Sequence, residues 1–183
     1  LVAGKEYTGY AYLAGAGAVQ ATLAWGAGEQ ERATVKIDGV GIQGHWHLDE
    51  PSLTDIDESL SVYASLGLRI VITEMEINVL PTPPEVYGAD VQQQAKYLES
   101  LNPYKNGCPD SIQTRLAVRY SDIFRIFMKH KKDIDRVTFW GINDGYSWKN
   151  NWPIFGRTNY PLLFDRNYQP KPAYFSVIKT AKE

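Results

Sequence analysis

The spacing of hydrophobic residues changes once along this chain. In the first part, residues 5–13 and 18–25 alternate polar and apolar positions, and a Gly-Ala-Gly turn separates the two runs. Alternation with a period of two across a glycine-containing turn predicts a β-hairpin. Residues 26–32, which are rich in glycine and charge, predict a linker. The chain therefore divides into residues 1–34, a hairpin with its linker, and a second region, residues 35–183.

In the second region, short apolar runs alternate with segments of helical spacing. The predicted elements, in chain order, are a strand at 37–43, a helix at 52–66, a strand at 69–74, a helix at 111–132, a strand at 136–141 and a last helix opened by Pro172. Asp110 or Ser111 is the expected N-cap of the second helix, because short polar side chains bond free backbone N–H groups there. Tyr174, Val177 and Ile178 are expected on the buried side of the last helix.

This alternation of strands and helices predicts an α/β fold with a parallel sheet. About three strand–helix units cannot close a barrel of eight strands. The second region is therefore expected to be part of a (β/α)8 TIM barrel and not a whole one.

Composition narrows the possible functions. The 19 Lys+Arg against 21 Asp+Glu leave a net charge of −2, so the chain lacks the basic surface typical of nucleic-acid binding. The single cysteine excludes an internal disulfide and a zinc site of paired cysteines. The apolar runs are far shorter than the ~20 residues that span a bilayer, and residues 1–4 show no signal-peptide pattern. The 5 Trp and 12 Tyr suit sugar binding, although they also suit a β-rich core.

Polar side chains lie at the ends of all three strands predicted in the second region. His45 follows the first strand, Glu74 ends the second and Asn143 follows the third. Ligands of parallel α/β sheets bind at the carboxyl ends of the strands. A carboxylate directly after the apolar residues 70–72 costs free energy unless it is hydrogen-bonded, so Glu74 is either a functional group or a surface residue at a strand end.

Two other kinds of catalytic site are weighed from the residues. A divalent metal could be held by His45, His47, Asp49, Glu50 and Glu74. The two histidines share a face only if their strand continues past Gly44. A serine nucleophile is not expected, because the sequence has no Gly-x-Ser-x-Gly turn. Cys108 lies in a predicted loop and is expected to be an unpaired thiol without a catalytic role.

Carboxylate chemistry on a sugar is the third possibility. A retaining glycosidase needs an ionised carboxylate as nucleophile and a protonated carboxyl as acid/base, ~5–5.5 Å apart. Glu74 suits the nucleophile by its position. His45, on the adjacent strand, could donate a hydrogen bond that keeps Glu74 ionised and oriented. Trp140 and Trp148 would supply apolar faces for pyranose rings.

Four motifs lie in order along the second region. They are DGVGIQGH at 38–45, ITEMEI at 72–77, VTFWG at 137–141 with SW at 147–148, and LFD at 163–165 with QPKPAY at 169–174. Together they resemble glycoside hydrolase family 10, which consists mostly of endo-β-1,4-xylanases on an eight-stranded barrel. The resemblance covers about residues 35–180, and it implies that this region is the carboxy-terminal part of the catalytic barrel, with its sixth to eighth strands.

The resemblance also implies roles for individual residues. Glu74 is implied as the nucleophile of retaining xylan hydrolysis. The residues implied to shape the subsite of the sugar under attack are Gln43, His45, Trp140 and Trp148. Glu76 stands where the family usually has aspartate, so its implied support of His45 acts through a side chain one methylene longer. The resemblance implies no metal and no cofactor.

The chain departs from the family at the acid/base. The family's acid/base glutamate follows an asparagine at the end of the fourth strand, and no Asn-Glu dipeptide occurs in these 183 residues. That residue and the first five strands are therefore expected in a second polypeptide that carries the amino-terminal half of the barrel. Residues 1–34 stand in their place and loosely resemble late strands of a β-sandwich carbohydrate-binding module.

Two functions remain open at this point. The first is an endo-β-1,4-xylanase seen in part, and the alternative is a non-catalytic xylan-binding fragment. A polysaccharide substrate implies a secreted, cell-surface or periplasmic location. Neither a nucleic-acid partner nor membrane insertion is expected.

Overall fold

The computed structural model describes residues 20–24, 32–83 and 95–183, with side chains described from residue 37 onward. The strands are β1 (Gln20–Ala24), β2 (Arg32–Lys36), β3 (Gly39–Ile42), β4 (His45–His47), β5 (Arg69–Asn78) and β6 (Ile134–Phe139). The helices are α1 (Leu53–Ser65), α2 (Asp110–Lys129) and α3 (Pro172–Thr180). Short 3₁₀ segments lie at Glu99–Leu101, Asp144–Tyr146 and Trp148–Asn150.

Four of these strands form a parallel sheet with β5 at its centre. β3 and then β4 pair with one edge of β5, and β6 pairs with the other edge. β3 and β4 are therefore two parts of one interrupted strand. Because all pairings are parallel, the carboxyl ends of β4, β5 and β6 lie at the same edge of the sheet. The predicted parallel α/β arrangement is confirmed.

β5 carries one residue more than its neighbours between Ile72 and Glu76, although its pairing with β6 shifts the opposite way between Ile70 and Val71. Ile42 lies opposite Ile72 and His45 lies opposite Glu76, so three steps along one strand match four steps along β5. The pairing with β6 shows a register shift of the same sense between Ile72 and Met75. An extra residue of this kind bends a strand and turns its side chains to new directions, and such bulges are common beside active sites.

The break between β3 and β4 depends on a glycine. Gly44 adopts a φ of +82°, in the left-handed region that side chains disfavour. A Cβ at this position would also lie 3.1 Å from Cγ2 of Ile72, closer than most contacts between such atoms. The chain can therefore turn here, directly before His45, without a clash against β5.

The strand limits differ from those predicted. β5 runs through Asn78 and does not end at residue 74, so both of its glutamates lie inside the strand. β3 ends at Ile42 and begins two residues later than predicted. β6 lies at Ile134–Phe139, two residues earlier than predicted at both ends.

α1 and α2 begin in different ways. The N-cap of α1 is Ser52, which exchanges hydrogen bonds with Asp55 in a capping box. The prediction that Asp110 or Ser111 caps α2 was wrong. Pro109 occupies the N-cap in an extended conformation without a side-chain cap, and Asp110 is the first residue of the helix. The acid still faces the positive end of the helix dipole from this position.

α3 begins at Pro172, as predicted, because proline at the first helical position loses no hydrogen bond. Ala173 and Val177 are its buried apolar residues, while Tyr174 is half-buried and packs on Phe164. The prediction for Ile178 was wrong. Its side chain is 39% exposed, because the buried stripe of this short helix passes through Thr180 instead.

The helices cover one face of the sheet and enclose the core. Its fully buried apolar side chains include Leu60, Ile70, Ile72, Leu116 and Ile123. Tyr120 of α2 is buried among them, and its hydroxyl donates to the backbone carbonyl of Pro161 at 2.6 Å. This hydrogen bond connects α2 to the segment that precedes α3.

β1 and β2 form a separate antiparallel pair in which Gln20 lies opposite Lys36. β1 lies within the second run of the predicted hairpin, and β2 includes Arg32 from the predicted linker. The first predicted run, residues 5–13, lies outside the described residues, so the predicted pairing of the two runs stays a prediction.

Replacing Tyr120 with phenylalanine should lower the free energy of unfolding by ~0.5–1.5 kcal/mol, the usual net value of one hydrogen bond. The carbonyl of Pro161 keeps a second hydrogen bond from Ile77 N–H, which holds the loss within that range. Urea unfolding followed by circular dichroism measures the difference. Tyr146→Phe, at a side chain that is 78% exposed, is the control and should change little. Equal effects of the two substitutions would contradict the proposed contact.

Candidate active site

Two glutamates of β5 face one histidine of β4. His45 Nδ1 lies 2.9 Å from Glu76 Oε1, and His45 Nε2 lies 3.0 Å from Glu74 Oε2. Because carboxylates only accept hydrogen bonds, the imidazole donates to both glutamates when both are ionised, and it then carries a positive charge. One ring therefore orients two carboxylates and offsets part of their charge. We call these three side chains the Glu74–His45–Glu76 triad.

Glu76 is the buried end of the triad. Its side chain is 0% exposed, and besides His45 it accepts hydrogen bonds from Ser147 Oγ, at 3.1 Å, and from Trp148 Nε1. A buried carboxylate is costly unless hydrogen-bond donors stabilise its charged form, and three donors are present here. Glu74, with its side chain 24% exposed, is the open end. The triad therefore presents one carboxylate to solvent and fixes the other in the protein.

Two tryptophans flank His45. Its ring centroid lies 6.3 Å from that of Trp140 and 5.2 Å from that of Trp148, both in edge-to-face orientations. Trp140 is 45% exposed, and its backbone N–H donates to the carbonyl of Met75, which attaches the end of β6 to β5. Apolar faces beside an open carboxylate form a surface that suits the apolar face of a sugar ring.

Gln43 lies at the break between β3 and β4. Its backbone carbonyl accepts a hydrogen bond from the N–H of Glu74 at 2.8 Å, and its side chain is half-buried. This contact holds the backbone of Glu74 where β5 bulges. All six site residues predicted from the sequence thus lie at the same edge of the sheet.

The geometry does not favour the metal alternative. Both ring nitrogens of His45 are engaged by carboxylates, which leaves neither free for a metal ion. His47 Nδ1 lies 3.0 Å from Asn78 Nδ2, and Asp49 pairs with Arg115 at the surface. Within the described residues, no group of three His, Cys, Asp or Glu side chains is placed to hold a metal ion.

Three residues of the loop after β6 belong to this cluster although the sequence predicts no individual contact for any of them. Ser147 donates to Glu76, as described above. Trp152 stacks on Trp148, with centroids 4.9 Å apart and planes inclined by 16°. Lys149 Nζ lies 4.5 Å from the ring centroid of each of these two tryptophans. The short segment SWKNNW was the available signal, but its 3₁₀ conformation makes contacts that helical or strand spacing does not predict.

A buried ion pair anchors the loop that carries Ser147 and Trp148. Lys171 Nζ lies 2.9 Å from Asp144 Oδ2 and also donates to two backbone carbonyls. Burial raises the pKa of Asp144, and the neighbouring Lys171 offsets part of that rise. Burial likewise lowers the pKa of Lys171. Since both groups are buried, each stabilises the charge of the other, and the loop is held at the sheet edge.

Comparison with protein families identifies the chain. The model of glycosyl hydrolase family 10 matches residues 27–180. The chain belongs to this family. The match begins before residue 35 and includes β2, whereas the resemblance of residues 1–34 to a carbohydrate-binding module stays a prediction.

Individual family 10 relatives also match the chain. Endo-1,4-beta-xylanase A of Xylanibacter ruminicola is 42% identical over 151 residues, which are 82% of this chain and 41% of that protein. Endo-1,4-beta-xylanase A of Caldicellulosiruptor saccharolyticus is 37% identical over 150 residues, 81% of this chain and 39% of that protein. The solved structure of a family 10 endoxylanase retrieved from a sugarcane soil metagenome is 47% identical. It superposes with a TM-score of 0.76, and the match covers 79% of this chain and 42% of the chain in that structure.

The chain spans about two fifths of the length of these relatives. Its parallel sheet is the carboxy-terminal part of the family's (β/α)8 barrel, as the motifs predicted. In the described part of the chain, no helix has both the length and the apolar character needed to cross a membrane.

Replacing Asp144 with asparagine should lower the free energy of unfolding by ~3–5 kcal/mol, because it leaves the charge of Lys171 buried without an opposite charge. The double variant D144N/K171M removes both charges and should recover most of that loss. Urea unfolding compares both with Asp135→Asn, which breaks an exposed ion pair with Arg69 and should change little. If D144N behaves like the surface control, the pair does not anchor the loop.

Proposed function

We propose that this chain is part of a retaining endo-β-1,4-xylanase in which Glu74 is the nucleophile. The observation that carries the proposal is the triad, in which a single histidine orients one exposed and one buried carboxylate in the carboxyl-terminal half of β5. Active sites of (β/α)8 barrels lie at that face. The relatives named endo-1,4-beta-xylanase support xylan as the substrate class.

In the first step, Glu74 attacks the anomeric carbon of the sugar whose ring lies beside Trp140 and Trp148. The bond to the leaving oxygen breaks as a glycosyl ester of Glu74 forms. His45 holds the attacking carboxylate in place through its hydrogen bond. Glu76 takes no part in bond making, and its role is to hold His45. Water then cleaves the ester, and the configuration at the anomeric carbon is retained.

We place the acid/base outside the triad and the buried ion pair behind it, as the missing Asn-Glu motif implies. The other carboxylate of the cluster, Glu76, is fully buried and accepts hydrogen bonds from three donors, so it cannot protonate a leaving group. Asp144 is buried as well and is paired with Lys171. We therefore assign the acid/base to the preceding part of the barrel, which a second polypeptide would have to supply in any reassembled enzyme.

The surface on which that part would pack is open. A groove between β3, β4 and α1 is lined mainly by apolar side chains, among them Ile42, Trp46, Ile56 and Tyr63. In a closed barrel the next strand–helix unit covers this position.

A xylan substrate also implies action outside the cell, so we expect the assembled enzyme to be secreted, on the cell surface or periplasmic.

Replacing Glu74 with alanine should abolish xylan hydrolysis by the reassembled barrel. The assembly combines this chain with the amino-terminal part of the Xylanibacter ruminicola relative that the chain does not match. Release of reducing sugar measures turnover, and the anomeric configuration of the first product, followed by NMR, tests retention. Glu58→Ala, at an exposed position of α1, is the control. If the wild-type assembly binds xylan without hydrolysing it, and Glu74→Ala leaves that binding unchanged, the non-catalytic alternative is supported instead.

The chain without its complement should hydrolyse only substrates with good leaving groups. General acid catalysis contributes ~10²–10⁴-fold, and a xylan leaving group needs it while a dinitrophenolate does not. Rates on xylan and on dinitrophenyl β-xylobioside, each with and without the complement, give this comparison. The complement should raise the xylan rate by the larger factor. Robust hydrolysis of xylan by the chain alone would refute the placement of the acid/base outside it.

A further inference from the structure

Lys149 lies directly behind the aromatic part of the site. Its ammonium is 4.5 Å from the ring centroids of both Trp148 and Trp152, and the residue is only 4% exposed. A cation this close to two indole faces is attracted by both rings. The same Trp148 donates its Nε1–H to Glu76. Lys149 therefore holds the ring that completes the donor set of the buried carboxylate.

The charges around Lys149 come from three other elements. Glu76 on β5 attracts the ammonium, and Arg157, in the segment after the second 3₁₀ turn of the loop, repels it. Burial lowers the pKa of His47 on β4, and the nearby charge of Lys149 lowers it further. Burial is the main reason that the pKa of Lys149 is lowered to about 8, and Glu76 opposes that fall.

We infer that Lys149 is a positioning residue of the proposed xylanase, whose ammonium fixes Trp148 against Glu76 and thereby holds the triad in its catalytic geometry. This inference rests on the proposed function. Lys149 does not touch the reacting atoms, and it acts through Trp148 and Glu76.

The charge of Lys149, and not merely its volume, carries this role. A methionine of similar length would fill the same space without the cost of a buried ammonium. It would offer neither the attraction to the two indoles nor a positive charge beside Glu76. Deprotonation of Lys149 has the same consequence, so the site should loosen as the pH rises through about 8.

Tryptophan fluorescence of the 183-residue chain tests the contact without any activity measurement. The fluorescence of the wild-type chain should change with a midpoint near pH 8, because Lys149 loses its charge beside Trp148 and Trp152. The transition should be absent in Lys149→Met, and also in Lys149→Arg, because arginine stays protonated. Lys179→Met, at an exposed position of α3, is the matched control and should keep the transition. A transition that persists in Lys149→Met would overturn the inference.

The pH dependence of kcat in the reassembled barrel tests the catalytic consequence. The wild-type kcat should fall above pH 8, and Lys149→Arg should keep its activity to higher pH. Lys149→Met should be about two- to thirty-fold slower with little change in KM, a range set by the strength of cation–π pairs. A wild-type kcat in Lys149→Met, in an active assembly, would overturn the positioning role alone. An inactive wild-type assembly would overturn the proposed function and this role with it, whereas the fluorescence transition would still report the contact.

Discussion

The buried charge of Glu76 is the constraint on which the catalytic face of this chain depends. A carboxylate without solvent contact is stable only where donors surround it. The donors come from two distant parts of the chain: His45 from β4, and Ser147 with Trp148 from the loop after β6. His45 also orients Glu74, and Trp148 also presents an aromatic face. Stabilising one buried charge therefore positions the exposed carboxylate and the sugar-facing surface together.

The sheet supplies the geometry that this arrangement needs. The extra residue of β5 changes the register between Ile72 and Glu76, and Gly44 lets the neighbouring strand turn at the same level. His45 can then bond glutamates two positions apart on β5. Behind the sheet edge, the ion pair of Asp144 and Lys171 holds the loop that carries two of the donors. Binding residues that lie on rigid elements keep their positions more accurately than residues on free loops.

Much of the site could be predicted because its residues follow apolar strands. The sequence predicts Glu74 and His45 at the ends of neighbouring parallel strands, where side chains are expected to meet. In the structure they meet, although Glu74 lies inside β5 and His45 begins β4. The contacts of Lys149 and Trp152 could not be predicted in this way, since they arise from a 3₁₀ turn and the irregular segment after it, which have no regular spacing. The burial of Glu76 could not be predicted either, because β5 continues beyond the point where its apolar run ends.

The two wrong predictions about the helices have equally specific causes. Asp110 suits an N-cap by residue type, but the preceding Pro109 already holds the extended cap conformation, so the helix begins one residue sooner. Ile178 suits a buried helix face by spacing, yet the buried stripe of α3 passes through Ala173, Val177 and Thr180 instead. In both places a tertiary or neighbouring constraint outweighs the local preference of a side chain.

The amino-acid pattern alone is sufficient to specify the order of strands and helices, the parallel sheet and the family motifs, because each depends on residues close together in the chain. Tertiary packing decides the bulge in β5, the burial of Glu76 and the contact of Lys149 with two indoles. These features depend on the register between separate strands and on how one loop folds back over the sheet edge. No local pattern of hydrophobic and polar residues carries that information.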